Sequence, residues 1–134
     1  MATNVWISDT PGCLVLGPTV IAGEALSSGD LVYIKDSDGK AYQADADGSG
    51  TYPCVGAAYE DADADDAVSL VLYGFRNDGS TYAEGAVVFL SGTAGGHTQS
   101  HAATGNTTPQ VVGYAYTTVK WVFSVLGIPY NVPA

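Results

Sequence analysis

The sequence predicts a small all-β domain, and three of its features support this prediction. The chain has 134 residues, 46% of them hydrophobic, and this size and composition suit one packed domain. No window of useful length has apolar residues at helical spacing, whereas short runs of β-branched and aromatic residues recur throughout. Seventeen Gly and six Pro are spread along the chain, as expected for many short strands joined by tight turns.

Nine short runs are predicted to form strands, and turn-forming residues separate them. The runs cover residues 5–7, 13–17, 30–35, 40–44, 55–59, 67–75, 86–91, 110–118 and 120–127. Asp38–Gly39 lies between the third and fourth runs and predicts an Asp-Gly hairpin turn, in which both central residues have positive φ. Asn77–Gly79 and the Gly-rich stretch 92–96 predict two further turns or loops.

An internal repeat indicates how these strands are organised. Residues 28–53 match residues 84–109 at a constant offset of 56 positions, and VGAAY (55–59) then matches VGYAY (112–116). The matched pairs include Gly29/Gly85, Val32/Val88, Tyr33/Phe89, Ile34/Leu90, Gly39/Gly95, Gln43/Gln99 and Pro53/Pro109. A repeat of this length that occurs twice favours a pseudo-symmetric domain over a solenoid. We therefore predict one β domain over residues 22–127, built from units at about 22–74 and 82–127 as a small β-barrel or sandwich.

Both ends of the chain are predicted to be extended segments. Residues 1–21 form an N-terminal arm, and residues 128–134 form a C-terminal tail whose two prolines do not suit a sheet interior. Apolar arms are costly to leave in water, so they should either close the barrel or dock on a partner. The residues expected at a partner interface are Val5, Trp6, Ile7, Leu14, Val15, Leu16, Val20 and Ile21.

Charge excludes several classes of partner. Fourteen acidic residues face only four Lys and Arg, which gives a formal net charge of −10. Nucleic-acid binding depends on Lys and Arg that displace counterions, so we expect no nucleic-acid partner. The acidic surface disfavours anionic membranes, no run approaches the length of a membrane span, and no signal peptide is expected. Cys13 and Cys54 could form a disulfide, but two buried free thiols are favoured.

No set of residues predicts catalysis, metal binding or a cofactor. The two histidines, His97 and His101, lie in a Gly/Ser/Thr-rich stretch without a helical pattern and without a third ligand nearby. The acidic stretch 60–66 could attract Ca²⁺, but it lacks the spacing of an EF-hand and fits an exposed loop better. No nucleophile elbow or phosphate-binding loop occurs. We therefore expect a protein that is not an enzyme.

An ordered series of short motifs resembles a family of small bacteriophage head proteins that decorate the capsid. The similarity covers roughly residues 20–127, and its elements are Ala22–Gly23, Gly29–Asp30, Val32, Asp38–Lys40, Val55–Ala58 and Val71–Gly74. Such a resemblance implies a β-barrel-like or β-tulip domain that binds the outer face of the assembled shell, often as a homotrimer, and stabilises contacts between major capsid subunits. It also implies location on the virion exterior after assembly in the host cytoplasm. Residues 1–19 and the tail have no counterpart in the family pattern.

Two other functions remain open on the sequence alone. The first is a carbohydrate-binding or adhesive β module, for example of a head fibre, which would need two or three aromatic rings coplanar on one exposed face. The second is a subunit of a secreted filament, against which the expected lack of a signal peptide speaks.

Overall fold

The computed structural model describes residues 6, 14–46, 51, 53–100 and 110–125, and these residues form an all-β fold. Nine strands and no helix occur among them, which confirms the predicted fold class. The strands are β1 (Leu14–Ile21), β2 (Leu31–Ile34), β3 (Ala41–Gln43), β4 (Gly56–Ala58), β5 (Ala67–Arg76), β6 (Val87–Leu90), β7 (His97–Thr98), β8 (Val111–Ala115) and β9 (Trp121–Ser124).

All nine strands belong to one antiparallel sheet that curls into a half-barrel. The order is β3-β2-β4-β5-β9-β8-β6-β7, and β1 pairs with β5 off this path. Read from one edge, the first four strands are β3-β2-β4-β5; read from the other edge, they are β7-β6-β8-β9. The two halves of the sheet therefore have the same order when β2–β5 are matched with β6–β9. Two four-stranded units thus lie side by side and meet at β5 and β9. The bounds of β2 and β6 differ by 56 residues, which is the offset of the sequence repeat.

The turn between β2 and β3 differs from the predicted Asp-Gly turn. Lys35 N–H donates to the Lys40 carbonyl (3.0 Å) and Gly39 N–H donates to the Lys35 carbonyl (2.7 Å), so four residues form the loop. Only Gly39 has positive φ, at 70°, whereas Asp38 does not. The Asp38 carboxylate instead accepts hydrogen bonds from Lys40 N–H (3.0 Å) and Tyr42 O–H (2.6 Å), which stabilise this longer loop.

Two groups of buried side chains hold the sheet together, and only one of them involves both units. The main core draws on both units: Trp6, Leu31, Tyr33, Ala44, Ala46, Cys54, Ala57, Val71, Tyr82, Val88, Leu90, Val112, Ala115, Trp121 and Phe123. The second core lies within the first unit and the segment before it: Ala22, Leu26, Val32, Ala41, Ala58, Val68 and Leu70. The first unit therefore contributes to buried clusters with both faces of its strands.

A slip in the alternation of β5 explains how the two units differ. Val71 faces the main core, and the next core-facing positions are Gly74, paired with Phe123, and Arg76, which contacts Trp121. Val71 and Gly74 are three residues apart rather than two, so the inward face changes parity within the strand. Equivalent residues of the two units consequently face opposite sides of the sheet.

The junction of the units is closed by polar contacts. The Gln110 side chain accepts a hydrogen bond from Cys54 N–H (2.8 Å) and donates one to the Cys54 carbonyl (3.0 Å), and these two residues are themselves 56 positions apart. The loop after β6 also crosses to the first unit, where Gly95 N–H donates to the Ala44 carbonyl (2.8 Å) and the Gly95 carbonyl accepts from Leu31 N–H (3.1 Å). Cys54 is a free, buried thiol, and burial raises its pKa to about 12.

Candidate functional site

Trp6, which was expected at a partner interface, lies in the main core of the protein itself. Its side chain is 5% exposed, and its indole N–H donates to the Ala58 carbonyl (2.9 Å). The ring meets Phe123 edge-on at 5.7 Å, and the Arg76 guanidinium lies 5.1 Å from the ring centre. Trp6 therefore follows the first of the two alternatives for an apolar arm, because it closes the fold and is not available to a partner.

The remaining described residues of the predicted arm form β1, which pairs with β5. The register shifts between Leu16 and Val20, where Pro18 lacks the N–H that a regular ladder needs. Val15 and Val20 pack against the two cores, whereas the other three predicted interface residues stay exposed: Leu14 (47%), Leu16 (42%) and Ile21 (37%). Val5 and Ile7 lie outside the described residues. An interface role for the exposed residues stays a prediction.

A larger exposed apolar surface lies on the second unit. One row of directly paired residues crosses four strands, running from Val87 through Tyr114 and Val122 to Phe75. Side chains of directly opposite residues share one face of a sheet. Val87 is 42% exposed and Tyr114 is 51% exposed, while Val122 between its neighbours is buried.

Neighbouring side chains extend this row into a continuous surface. Tyr116 packs on Phe75 with ring centres 5.5 Å apart, and Tyr73 also packs on Phe75 at 5.8 Å. Leu14 of β1 pairs opposite Tyr73, which joins the exposed part of the N-terminal strand to the same surface. We call this surface the outer face, defined by Leu14, Tyr73, Phe75, Val87, Val111, Tyr114 and Tyr116.

The outer face contains a shallow groove of about 300 Å³. Tyr73, Val87, Val111, Tyr114 and Val122 line it. Gly113 also lines the groove, and an added Cβ at this glycine would lie 1.8 Å from the Val122 carbonyl oxygen. Glycine therefore lets β8 and β9 approach closely where the groove forms. A concave apolar surface of this kind suits a projecting aliphatic or aromatic side chain of another molecule.

The repeat shows that this face is exposed in one unit and buried in the other. Under the repeat alignment Val87 corresponds to Leu31, and Tyr114 corresponds to Ala57. Leu31 and Ala57 are fully buried in the main core, whereas their counterparts are among the most exposed apolar residues described. This surface was not predicted from the sequence. The replacement of a small Ala by Tyr between otherwise matching segments was the signal that could have found it.

Charge is divided between the units in the same unequal way. Eleven of the fourteen acidic residues lie in residues 22–74, whereas Glu84 alone lies in residues 82–127, where Lys120 balances it. Four of the seven residues of the outer face therefore belong to a unit of zero formal charge, whereas Tyr73 belongs to the first unit, in which eleven carboxylates face only Lys35 and Lys40. Interface cores are typically depleted in charged residues, and the second unit shares this property.

A buried polar cluster lies where the two units meet. Arg76, which is 3% exposed, is held between the rings of Trp6 and Trp121, with its guanidinium 4.6 Å from the Trp121 ring centre. It pairs with Asp78 (3.3 Å) and donates to the Gly29 carbonyl (2.9 Å). Burial lowers the pKa of Arg76 against the opposing effect of Asp78. This cluster ties the end of β5 to the first unit.

Asp78 is the centre of that cluster. It accepts hydrogen bonds from Tyr82 O–H (2.6 Å) and Trp121 indole N–H (3.3 Å), and His97 Nε2 lies 3.1 Å away. Burial opposes its ionisation, but hydrogen bonds from His97 and Tyr82 and the charge of Arg76 outweigh burial and hold the pKa of Asp78 well below its usual range. Burial and the neighbouring carboxylate raise the pKa of Tyr82. The group is a fixed electrostatic unit with no exposed nucleophile.

The other residues weighed for chemistry occupy separate places. His97 lies in β7 within the cluster just described, and His101 lies outside the described residues. In the 60–66 loop, Asp61 accepts from Ser28 N–H (2.8 Å) and Asp65 pairs with Lys40 (2.8 Å). Across the described ranges, no group of three or more His, Cys, Asp or Glu side chains could hold a metal ion.

No protein-family model matches the chain, and no curated protein matches it. Within the described part of the chain, no helix has the length and apolar character of a membrane span.

Proposed function

We propose that this protein is a non-enzymatic structural protein that binds the exterior of a bacteriophage capsid. It docks on major capsid subunits through the outer face and stabilises the contacts between them. The observation that carries this proposal is the exposed apolar outer face, most of which lies on a unit without net charge. The motif series in residues 20–127 supports the choice of a phage shell as the partner.

The driving force for docking is the removal of apolar side chains from water. Leu14, Val87, Tyr114 and Tyr116 are each 39–51% exposed, and together they leave several hundred Å² of mostly apolar surface in contact with solvent. At about 25 cal/mol per Å², burial of such an area supplies several kcal/mol before the costs of association. Many copies on one shell would multiply the effect, because each one restrains the separation of the subunits it contacts.

Charge sets the orientation of the docked protein. The acidic unit would face away from the shell, where its carboxylates stay hydrated and keep neighbouring copies and other proteins at a distance. Placement inside the shell is disfavoured, because packaged DNA is itself a dense polyanion. Docking as a homotrimer, as the family resemblance implies, is part of the same proposal, with the neutral units as the surfaces that can approach one another.

The aromatic rings of the outer face do not favour carbohydrate stacking there. Tyr73 and Phe75 are inclined by 55°, and Phe75 and Tyr116 by 53°. A flat stacking platform for sugars needs coplanar rings, so this surface fits the side chains of a protein partner better.

The experiment that tests the proposal is a titration of purified protein onto undecorated capsid shells, followed by sedimentation. We expect binding that saturates at a fixed ratio to the shell lattice. The double variant Val87→Ser/Tyr114→Ser should bind at least about tenfold more weakly, which corresponds to about 1.4 kcal/mol. The matched control is Ile34→Ser, because Ile34 is 39% exposed but lies in β2 of the acidic unit.

The control distinguishes docking through the outer face from nonspecific hydrophobic binding. Wild-type affinity for Ile34→Ser together with loss in the double variant supports docking through the outer face. Equal losses in both proteins, or no saturable binding of the wild type, would overturn the proposal. Circular dichroism of each variant before the titration confirms that the β fold is retained.

A further inference from the structure

A polar pocket lies between the two units, and its chemistry differs from that of the apolar outer face. Three segments surround it: the turn before β2, the loop between β5 and β6, and the segment from the end of β6 through β7. Its volume is about 790 Å³, within the range of pockets that hold small organic ligands. The outer face shares none of its residues, so the two surfaces can act independently.

The lining of this pocket is dominated by hydroxyl groups and by glycine backbone. Ten of the fourteen lining residues are Ser, Thr or Gly, and seven of these ten lie in the segment 91–100. Hydroxyls both donate and accept hydrogen bonds. A carbonyl oxygen has two lone pairs, so the Gly95 and Gly96 carbonyls can accept a second hydrogen bond beside those from Leu31 N–H and Ser91 N–H. This mixture complements a ligand that carries many hydroxyl groups of its own.

Charge in the pocket excludes a strongly charged ligand. The lining contains four further residues, Asp30, Arg76, Asp78 and His97. Arg76 and Asp78 neutralise one another at 3.3 Å. One oxygen of Asp30 already accepts hydrogen bonds from Ser27 N–H (2.9 Å) and from the Gln43 amide (3.0 Å). An anion would meet Asp30 and the protein's overall negative charge, and a single partly engaged carboxylate provides little for a cation.

Buried side chains hold the wall of this pocket in place. Arg76, which lines the pocket, is fixed by Asp78 (3.3 Å) and by the Gly29 carbonyl (2.9 Å). His97 is held rigidly, with its ring 4.7 Å from that of Trp121 and its Nε2 2.8 Å from the Tyr82 hydroxyl. A wall fixed in this way loses little conformational entropy when a ligand binds.

We propose that this polar pocket binds a neutral saccharide of one or two sugar rings. The hydroxyls of the sugar would exchange hydrogen bonds with the Ser and Thr hydroxyls of the 91–100 segment and donate to its glycine carbonyls. The buried Arg76–Asp78 pair supplies a fixed dipole at the pocket wall. On a protein that also docks through its outer face, this pocket would lie on a separate, solvent-facing side.

The test is a ¹⁵N-edited NMR titration of the full chain with D-glucose, D-galactose, N-acetyl-D-glucosamine and maltose, each to tens of millimolar. At least one sugar should give saturable shifts that cluster on Gly92, Gly95, Gly96 and Thr98, with a dissociation constant on the order of millimolar. Inorganic phosphate and putrescine are titrated in parallel as anionic and cationic probes. Saturable binding of either probe at these residues without sugar binding would overturn the proposal, as would the absence of saturable sugar shifts.

Matched variants locate the binding site. Ser80→Trp places a large ring at an exposed position of the pocket rim and should weaken sugar binding at least tenfold. Ser37→Trp makes the same substitution in the exposed loop after β2 and should leave binding unchanged. Sugar affinity that is insensitive to Ser80→Trp would place the site elsewhere and refute the assignment. Shell binding is expected to be the same in both variants, so failure here is distinguishable from failure of the docking proposal.

Discussion

Trp6 provides the most direct test of how the N-terminal segment is held. In Trp6→Ala the core loses an indole that is 5% exposed, the Ala58 carbonyl loses its hydrogen bond from the ring, and Arg76 loses one of its two aromatic contacts. Truncation of a buried aromatic residue to Ala costs about 3–5 kcal/mol, and we expect about 4 kcal/mol here. For a protein that is stable by about 5–15 kcal/mol, this is a large fraction of the total.

The assay is chemical and thermal unfolding followed by far-ultraviolet circular dichroism, since the substitution removes one of two tryptophan fluorophores. A loss of about 4 kcal/mol should lower Tm by roughly 15 °C for a chain of this length. Trp6→Phe keeps an aromatic ring but not the donor to Ala58, so it should cost only about 1–2 kcal/mol. Leu14→Ala is the exposed control, because Leu14 lies in the same N-terminal region at 47% exposure and should change stability by less than about 1 kcal/mol.

The ranking of the three variants is what the structure predicts. If Trp6→Ala and Leu14→Ala lose the same small amount of stability, Trp6 is not part of the core and the segment is free to reach a partner. Removal of residues 1–19 tests the same point. It deletes Trp6 and most of β1 and should therefore destabilise the fold itself, whereas loss of a detachable arm would leave a folded domain.

Two further predictions concern single positions in the sheet and the core. Gly113→Ala should prevent formation of a stable fold, at a cost of at least about 3 kcal/mol, because its Cβ would overlap the Val122 carbonyl. Gly17→Ala is the control, because nothing lies within 4 Å of a Cβ at that position. Comparable soluble yields and Tm values for the two variants would contradict the prediction. The Cys54 thiol, with a pKa of about 12, should not react with a thiol reagent at pH 8 until the protein unfolds. The pKa of Cys54 is higher in the folded state than its ordinary value of 9.0, so the contribution of this thiol to stability is complete below pH 9 and decreases as the pH rises from 9 towards 12. If the stability of the wild type, relative to Cys54→Ala, increases over this range, the raised pKa of Cys54 is refuted.

The sequence was sufficient for the fold class, for most strands and for the repeat, because these depend on local patterns. Positive φ values occur at equivalent glycines of the two units, Gly29 with Gly85 (93° and 77°) and Gly39 with Gly95 (70° and 76°). Such positions favour glycine whatever surrounds them, so a repeat of glycines in the sequence reports a repeat of turns in the structure. Local signals of this kind can be read without knowledge of tertiary contacts.

The features that depend on long-range strand pairing could not be predicted from the sequence. β7 is only two residues long, and its residues, His97–Thr98, have no particular strand pattern; pairing with β6 makes them a strand. Similarly, Gly17 and Pro18 interrupt the predicted N-terminal arm, and no local pattern shows that β5 supplies a partner strand that accommodates the interruption with a register shift. The pocket between the units depends on contacts across the half-barrel, such as that of Gly95 with Ala44, and no local pattern indicates them.

The two units have come to differ at the positions that decide whether a strand face is covered. Where the first unit has Leu31 and Ala57 packed in the main core, the second has Val87 and Tyr114 in water. A tyrosine at the position of Ala57 would not fit a fully buried site beside well-packed neighbours, since overpacking a core costs about 1–3 kcal/mol or more. The same side chain on the outer face has room, and it adds contact area with few rotatable bonds to immobilise. Because the unit with this face has also kept its surface almost free of charge, a partner could cover it without desolvating carboxylates, whereas the same contact on the first unit would require the burial of several. Packing and charge therefore both support the second unit as the docking side in the proposed function.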